Sequence, residues 1–158
     1  MEEQGETRDV TVYLKSIEVN LSPDAFHLYA SHYYRCKQDF EPPDNGFSPV
    51  PYFLLCRAIE LEIKARHLKH KNLDEVKVGF GHHLMKAYNA LDVQERILSQ
   101  REVAVLATAD EIYSDKGFEY FTLRAAEAAL QGYSQFPDLK TLDTIAKNLI
   151  DSGSTRRG

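Results

Sequence analysis

Apolar residues in this chain recur at three- and four-residue steps over long stretches, the period of helices that bury one stripe. The first run opens at Ser22-Pro23-Asp24. The hydroxyl suits an N-cap, the proline the first helical position, and the carboxylate the positive end of the helix dipole. Behind them Ala25, Leu28, Tyr29, His32, Tyr33, Cys36 and Phe40 mark one stripe and predict a helix over 23–40, with His32 read as a core histidine. "EPPDNGFSPVP" ends it, because Pro, Asp-Asn-Gly and Ser-Pro break helices in succession.

A second run predicts a helix over 51–71. Leu54, Ala58, Leu61, Ala65 and Leu68 line up on one side, and Leu55, Ile59 and Ile63 widen the arc. Arg57, Glu60, Lys64, His67 and Lys71 form the remaining polar strip. So wide an apolar arc needs more than one neighbour, which makes this the expected central helix. Glu62 falls inside the arc, where pairing with Arg66 four residues on is preferred to snorkelling at a rim.

"KNLDEVKVGFG" reads as a connector with room for one short helical turn. From Gly81 a third helix runs through "HHLMKAYNALD". A fourth covers 94–116, with Leu98, Val105, Leu106, Ala109, Ile112 and Tyr113 as its stripe and Gly117 at the C′ position. Residues 118–137 are ambiguous: alanines favour helix, while Gly132 and Pro137 limit it. A C-terminal helix over 138–150 carries Leu139, Leu142, Ile145, Ala146 and Leu149. Ile17, Val19 and Leu21 alternate in part, which fits a short strand or an irregular arm; with no partner strand, the arm is preferred. The expectation is an all-α, up-and-down bundle of four main helices plus a C-terminal helix. An N-terminal arm (1–21) precedes the single domain (22–151), and a flexible tail (152–158) follows it.

Composition narrows the classes. The 158 residues are near the size of one domain and long enough to bury a sizeable core. With 43% hydrophobic and 27% charged residues, the chain is globular rather than disordered. A net charge of −5 excludes a bulk basic footprint for nucleic acid and leaves a local patch open. The start, "MEEQGETRDV", is not a signal sequence, and no apolar run reaches the roughly 18–20 residues of a membrane span. A cytoplasmic protein with no membrane association is expected. Cys36 and Cys56 lack Cys-x-x-Cys spacing and read as free buried thiols. "HLKH" sets His67 and His70 three apart, but adjacent His82 and His83 point different ways, so neither a metal nor another cofactor is expected. Nucleophilic catalysis has no Gly-x-Ser-x-Gly elbow to work from. Arg57, Lys64, Arg66, His67, Lys69, His70 and Lys71 make the second helix basic, as a solvated helix end or a contact for RNA or a nucleotide.

"AIELEIKARHL" (58–68) followed by "GHHL" (81–84) resembles the HEPN-like helical bundles, in the branch related to abortive-infection proteins. Glu60, Leu61 and Lys64 match a Glu-Leu-x-x-Lys motif on one helix. Gly81, His82 and Leu84 match a Gly-His-Asp-Leu motif opening the next, with His83 in place of the Asp. The resemblance covers roughly 23–150 and implies a homodimer. It also favours an internal polar network in which His82 reaches Glu60 across two helices, over a surface Glu60–Lys64 pair. Known members include metal-independent ribonucleases whose Arg and His, with four to six residues between them, face those of a second protomer. Here Arg66 and His70 have only three residues between them, and no His follows His83. The expected function is therefore a non-catalytic binding module for a nucleotide, RNA or protein partner in a defence or stress context. Its site would be Arg57, Glu60, Lys64, His82 and His83. A divergent ribonuclease using Arg66 and His70 is the alternative, and a purely structural protein the third.

Overall fold

The computed structural model describes residues 22–44, 46–119 and 136–155. The expected arm, most of the ambiguous 118–137 stretch and the end of the tail lie outside them. The described residues are mainly helical, with no strand, in six helices: α1 (Pro23–Asp39), α2 (Val50–His67), α3 (Leu73–Phe80), α4 (Leu84–Asn89), α5 (Gln100–Ser114) and α6 (Leu139–Thr155). One 3₁₀ turn, Val93–Glu95, precedes α5. No helix among them is long and apolar enough to cross a membrane.

Helix α2 is the centre, and α1, α4, α5 and α6 all pack on it. Leu55, Cys56, Ile59 and Ile63 are fully buried, and so are Leu142, Ile145, Ala146 and Leu149 of the α6 stripe. Ala30 and Ala58, both small and fully buried, meet where α1 crosses α2. Polar groups are buried too: Glu60, Glu62, Arg66 and His67 all lie inside. His67, placed by periodicity on a polar strip, instead sends Nε2 to the Ala87 carbonyl at 2.8 Å and packs its ring on Phe80.

Burial lowers the His67 pKa below 6.5, outweighing the bond to Ala87 that favours the charged ring. The unfolded chain therefore takes up a proton that the folded chain resists. Stability is complete above about 6.5 and falls as pH drops below it. A melting-temperature series should show this loss before the carboxylates titrate, and His67→Gln should flatten it. An unchanged profile in the variant would rule out His67 as the source.

Helix boundaries moved where capping chemistry outranked periodicity. Helix α1 starts as expected, with Ser22 Oγ accepting from the Ala25 amide at 3.1 Å. Helix α2 ends at His67 rather than Lys71, because the amides of His70 and Lys71 both turn back to the His67 carbonyl. The connector is a full helix, α3. Asn72 and Glu75 of "NLDE" form a reciprocal capping box, each side chain accepting from the other's amide at 2.9 Å. The same device in "SQRE", between Ser99 and Glu102, starts α5 at Gln100 rather than near 94. Helix α5 ends at Ser114 rather than 116, and Lys116, at φ 58°, takes the left-handed C′ position expected of Gly117. Gly117 follows, its amide on the Ile112 carbonyl at 2.8 Å. A Cβ at 117 would lie 2.7 Å from Ile112 Cγ2, so close approach is what needs glycine there.

Two further expectations are corrected. The inward face of α1 carries Phe26, His27, Ala30, Tyr34 and Lys37, whereas Leu28 (52% exposed), His32 and Cys36 face out. His27 and Lys37 turn inward because carboxylates on α2 and α6 await them. Counting apolar residues misses that reason. Cys36 is thus an exposed thiol, and only Cys56 is buried. The "tail" is also shorter than expected, since α6 continues to Thr155.

Candidate functional site

Glu60 sits on α2 with its carboxylate 2% exposed and four donors around it. Lys64, one turn on, donates at 2.5 Å, and Arg57, one turn back, at 3.1 Å. His82 places Nδ1 3.2 Å from Oε1, and Tyr113 of α5 donates its hydroxyl to Oε2. Burial alone would raise the Glu60 pKa, but Lys64, Tyr113 and Arg57 together hold it below its usual value. The Tyr113 pKa is driven up by its burial and by the adjacent Glu60 charge.

The corner between α3 and α4 closes this network. Gly81 has φ 53° and ψ −122°, a combination that side-chain-bearing residues avoid. In that conformation its carbonyl accepts from Lys64 Nζ at 2.6 Å, and the next residue, His82, turns back onto Glu60. Of the five residues expected at the site, Arg57, Glu60, Lys64 and His82 meet here. His83 does not: it is exposed and makes no side-chain cap although it occupies the N-cap of α4. Asp110 of α5 supplies the missing carboxylate. It accepts from the Leu84 amide at 2.7 Å and from the Met85 amide at 3.3 Å. Position 83 is where the resembled motif carries Asp, so the charge has a second route to the same helix end. Asp110→Ala should cost about 1 kcal/mol in urea denaturation, and His83→Asp in that background should recover part of it. No recovery would mean that position 83 cannot cap α4.

These residues line a cleft of about 390 Å³ between α1, α2 and α3. Phe26 and Tyr29 of α1 form one wall; Leu73 and Val76 of α3 face them, with Leu61 at the base. Lys64 is 12% exposed and His82 is 49% exposed, so the first looks into the cleft and the second stands at its mouth. Lys77, which sequence reasoning passed over, also lines it. Its only signal was its place one residue after an apolar position of an unrecognised helix. Three cations, Arg57, Lys64 and Lys77, thus line the cleft with one carboxylate, Glu60, among the described residues of a chain of net negative charge.

Arg66 and His70 are not brought together as a site. Arg66 is 3% exposed and bonds the Leu149 carbonyl at 2.8 Å, the Ser152 hydroxyl at 2.6 Å and the Glu95 carbonyl at 3.1 Å. His70 lies in the exposed turn after α2. A composite ribonuclease site across two protomers needs Arg66 at the surface, and this arrangement commits it to the interior. The basic strip on α2 is likewise divided, with Arg66 and His67 buried, Lys64 in the cleft and Lys71 over the Phe80 ring.

A second buried carboxylate, Glu62, does pair loosely with Arg66 (3.8 Å), but its nearer partner is His27 Nδ1 at 2.6 Å. Gly153 lets α6 close over this pair, since a Cβ there would fall 2.1 Å from Glu62 Oε1. Asp143 forms a third polar link, joining α6 to Tyr34, Lys37 and Gln38 of α1. The His27–Glu62 and Asp143 contacts lack the local spacing that marked Glu60 with Lys64 and Glu62 with Arg66. Comparison with protein-family models, curated proteins and solved structures gives no match for this chain.

Proposed function

We propose that this chain is a non-catalytic HEPN-like helical binding module whose corner cleft holds a small anionic ligand. The observation that carries this reading is the excess of cations in an apolar cleft. Arg57, Lys64 and Lys77 stand against Glu60 alone, and the Lys77 ammonium has no partner among the described residues. Low-dielectric walls strengthen the field of these charges and draw anions from solution. The Glu60–His82 contact across two helices supports the HEPN-like placement. The division of the α2 basic strip favours a small ligand over a long RNA strand, which needs a continuous groove. Leu28 and Cys36, exposed on α1, offer a face for the homodimer that the resemblance implies, and light scattering reads that state directly.

The cleft is tested by calorimetric titration at low salt with a panel of inorganic phosphate, AMP and apolar carboxylic acids. At least one anion should bind wild type and weaken about tenfold in Lys77→Ala, a loss of one exposed charge contact. Silence across the whole panel would refute the reading.

A further inference from the structure

We infer that the ligand of the corner cleft is an apolar carboxylate: an organic acid whose head meets Lys77 and Lys64 and whose hydrocarbon body lies between α1 and α3. This rests on the anion-binding reading above and narrows it. The first reason is what the cleft lacks. Among the described residues its lining holds no Asn, Gln, Ser or Thr side chain. A sugar or nucleobase entering it would give up hydrogen bonds to water and find few replacements, at roughly 1–3 kcal/mol for each group left unpaired. The walls offered by Phe26, Tyr29, Leu73 and Val76 suit a body without polar groups.

The second reason is how the positive charge is already used. Glu60 takes one donor each from Arg57 and Lys64, and Lys64 gives another proton to the Gly81 carbonyl. Arg57 gives Nη1 to Glu60 and lies over the Tyr33 ring, 5.9 Å from its centre, so one side of its planar fork is already taken. What remains is the Lys77 ammonium, the last proton of Lys64, the outer nitrogen of His82 and the outer edge of the Arg57 guanidinium. Of the three cations, only Lys77 brings a charge that is not already bonded to Glu60.

The third reason is the helix end nearest the cleft. The N-terminus of α3 would be the natural seat for a phosphate. Its capping box takes the amides of Asn72 and Glu75, and Asp74 and Glu75 make that first turn acidic, which disfavours a phosphate there. The volume of about 390 Å³ lies at the small end of ligand sites, which run from roughly 300 to 1,000 Å³. A medium-chain or aryl-alkyl acid is of that scale.

The experiment is a calorimetric comparison on the full chain at low salt, with octanoate, phenylbutyrate, N-acetylleucine, AMP and inorganic phosphate as probes. N-acetylleucine separates the apolar carboxyl end of a peptide from a free acid. The tightest acid should bind at least about tenfold better than AMP and phosphate. Lys77→Ala and Leu73→Ser should each weaken it about tenfold, the first through the head and the second through the body. Lys77 is exposed and Leu73 only half-buried, so both variants should fold, and circular dichroism checks this. AMP or phosphate binding as tightly as the acids would overturn the inference and leave the anion-binding reading standing. Acid binding unmoved by either variant would overturn it as well, by placing the acid elsewhere. No binding by any probe would remove the anion-binding reading itself.

Discussion

Arg66→Met should lower stability by about 3–5 kcal/mol, a large share of the 5–15 kcal/mol typical of a domain. The lost guanidinium leaves the Leu149 and Glu95 carbonyls without the charged donor they now share. It also withdraws the positive charge beside Glu62, a carboxylate only 1% exposed. Methionine fills much of the volume, so the loss reports the polar contacts rather than a cavity. Urea denaturation measures it, and the double variant Arg66→Met, Glu62→Met should recover much of it, because the buried charge goes with its partner. A loss below about 1 kcal/mol would contradict the interior role described for Arg66. The same measurement separates an architectural arginine from a nuclease one, whose removal would abolish cleavage and spare the fold.

Glu60→Gln should move two observables in opposite directions. Stability should fall by about 2–4 kcal/mol, less than for Arg66, since Arg57 and His82 retain access to water while Tyr113 does not. Affinity for the cleft's anion should rise, because Lys64 and Arg57 no longer answer to a resident carboxylate. Denaturation and calorimetry on one preparation test both. If affinity fell together with stability, Glu60 would be part of the ligand's own binding geometry rather than its competitor.

Where the sequence was legible, the reason was local. Ser22-Pro23 marked the start of α1, and the spacing of Leu142, Ile145, Ala146 and Leu149 marked the face of α6. The wide arc of α2 marked it as central. Two boundaries were also written locally but went unread, as the capping pairs in "NLDE" and "SQRE". The rest depends on distant partners. Nothing near His27 announces Glu62, nothing near Lys37 announces Asp143, and Tyr113 reaches Glu60 from 53 residues away. At the corner, Glu60, Lys64 and His82 were found through a short motif. Gly81's carbonyl and Asp110 emerged only from geometry. His83 lost its apparent importance once Asp110 was seen capping the helix that position 83 should cap.

The four ionisable side chains buried along α2 also constrain the order of events during synthesis. Arg66 finds two of its acceptors 83 and 86 residues downstream, on α6. A nascent chain that has displayed α1 through α5 therefore still holds an unsatisfied guanidinium beside Glu62. Collapse before α6 emerges would trap that charge in a greasy interior, so docking is deferred until α6 arrives. This helical unit should therefore stay largely unassembled until α6 has been synthesised and then close in one step.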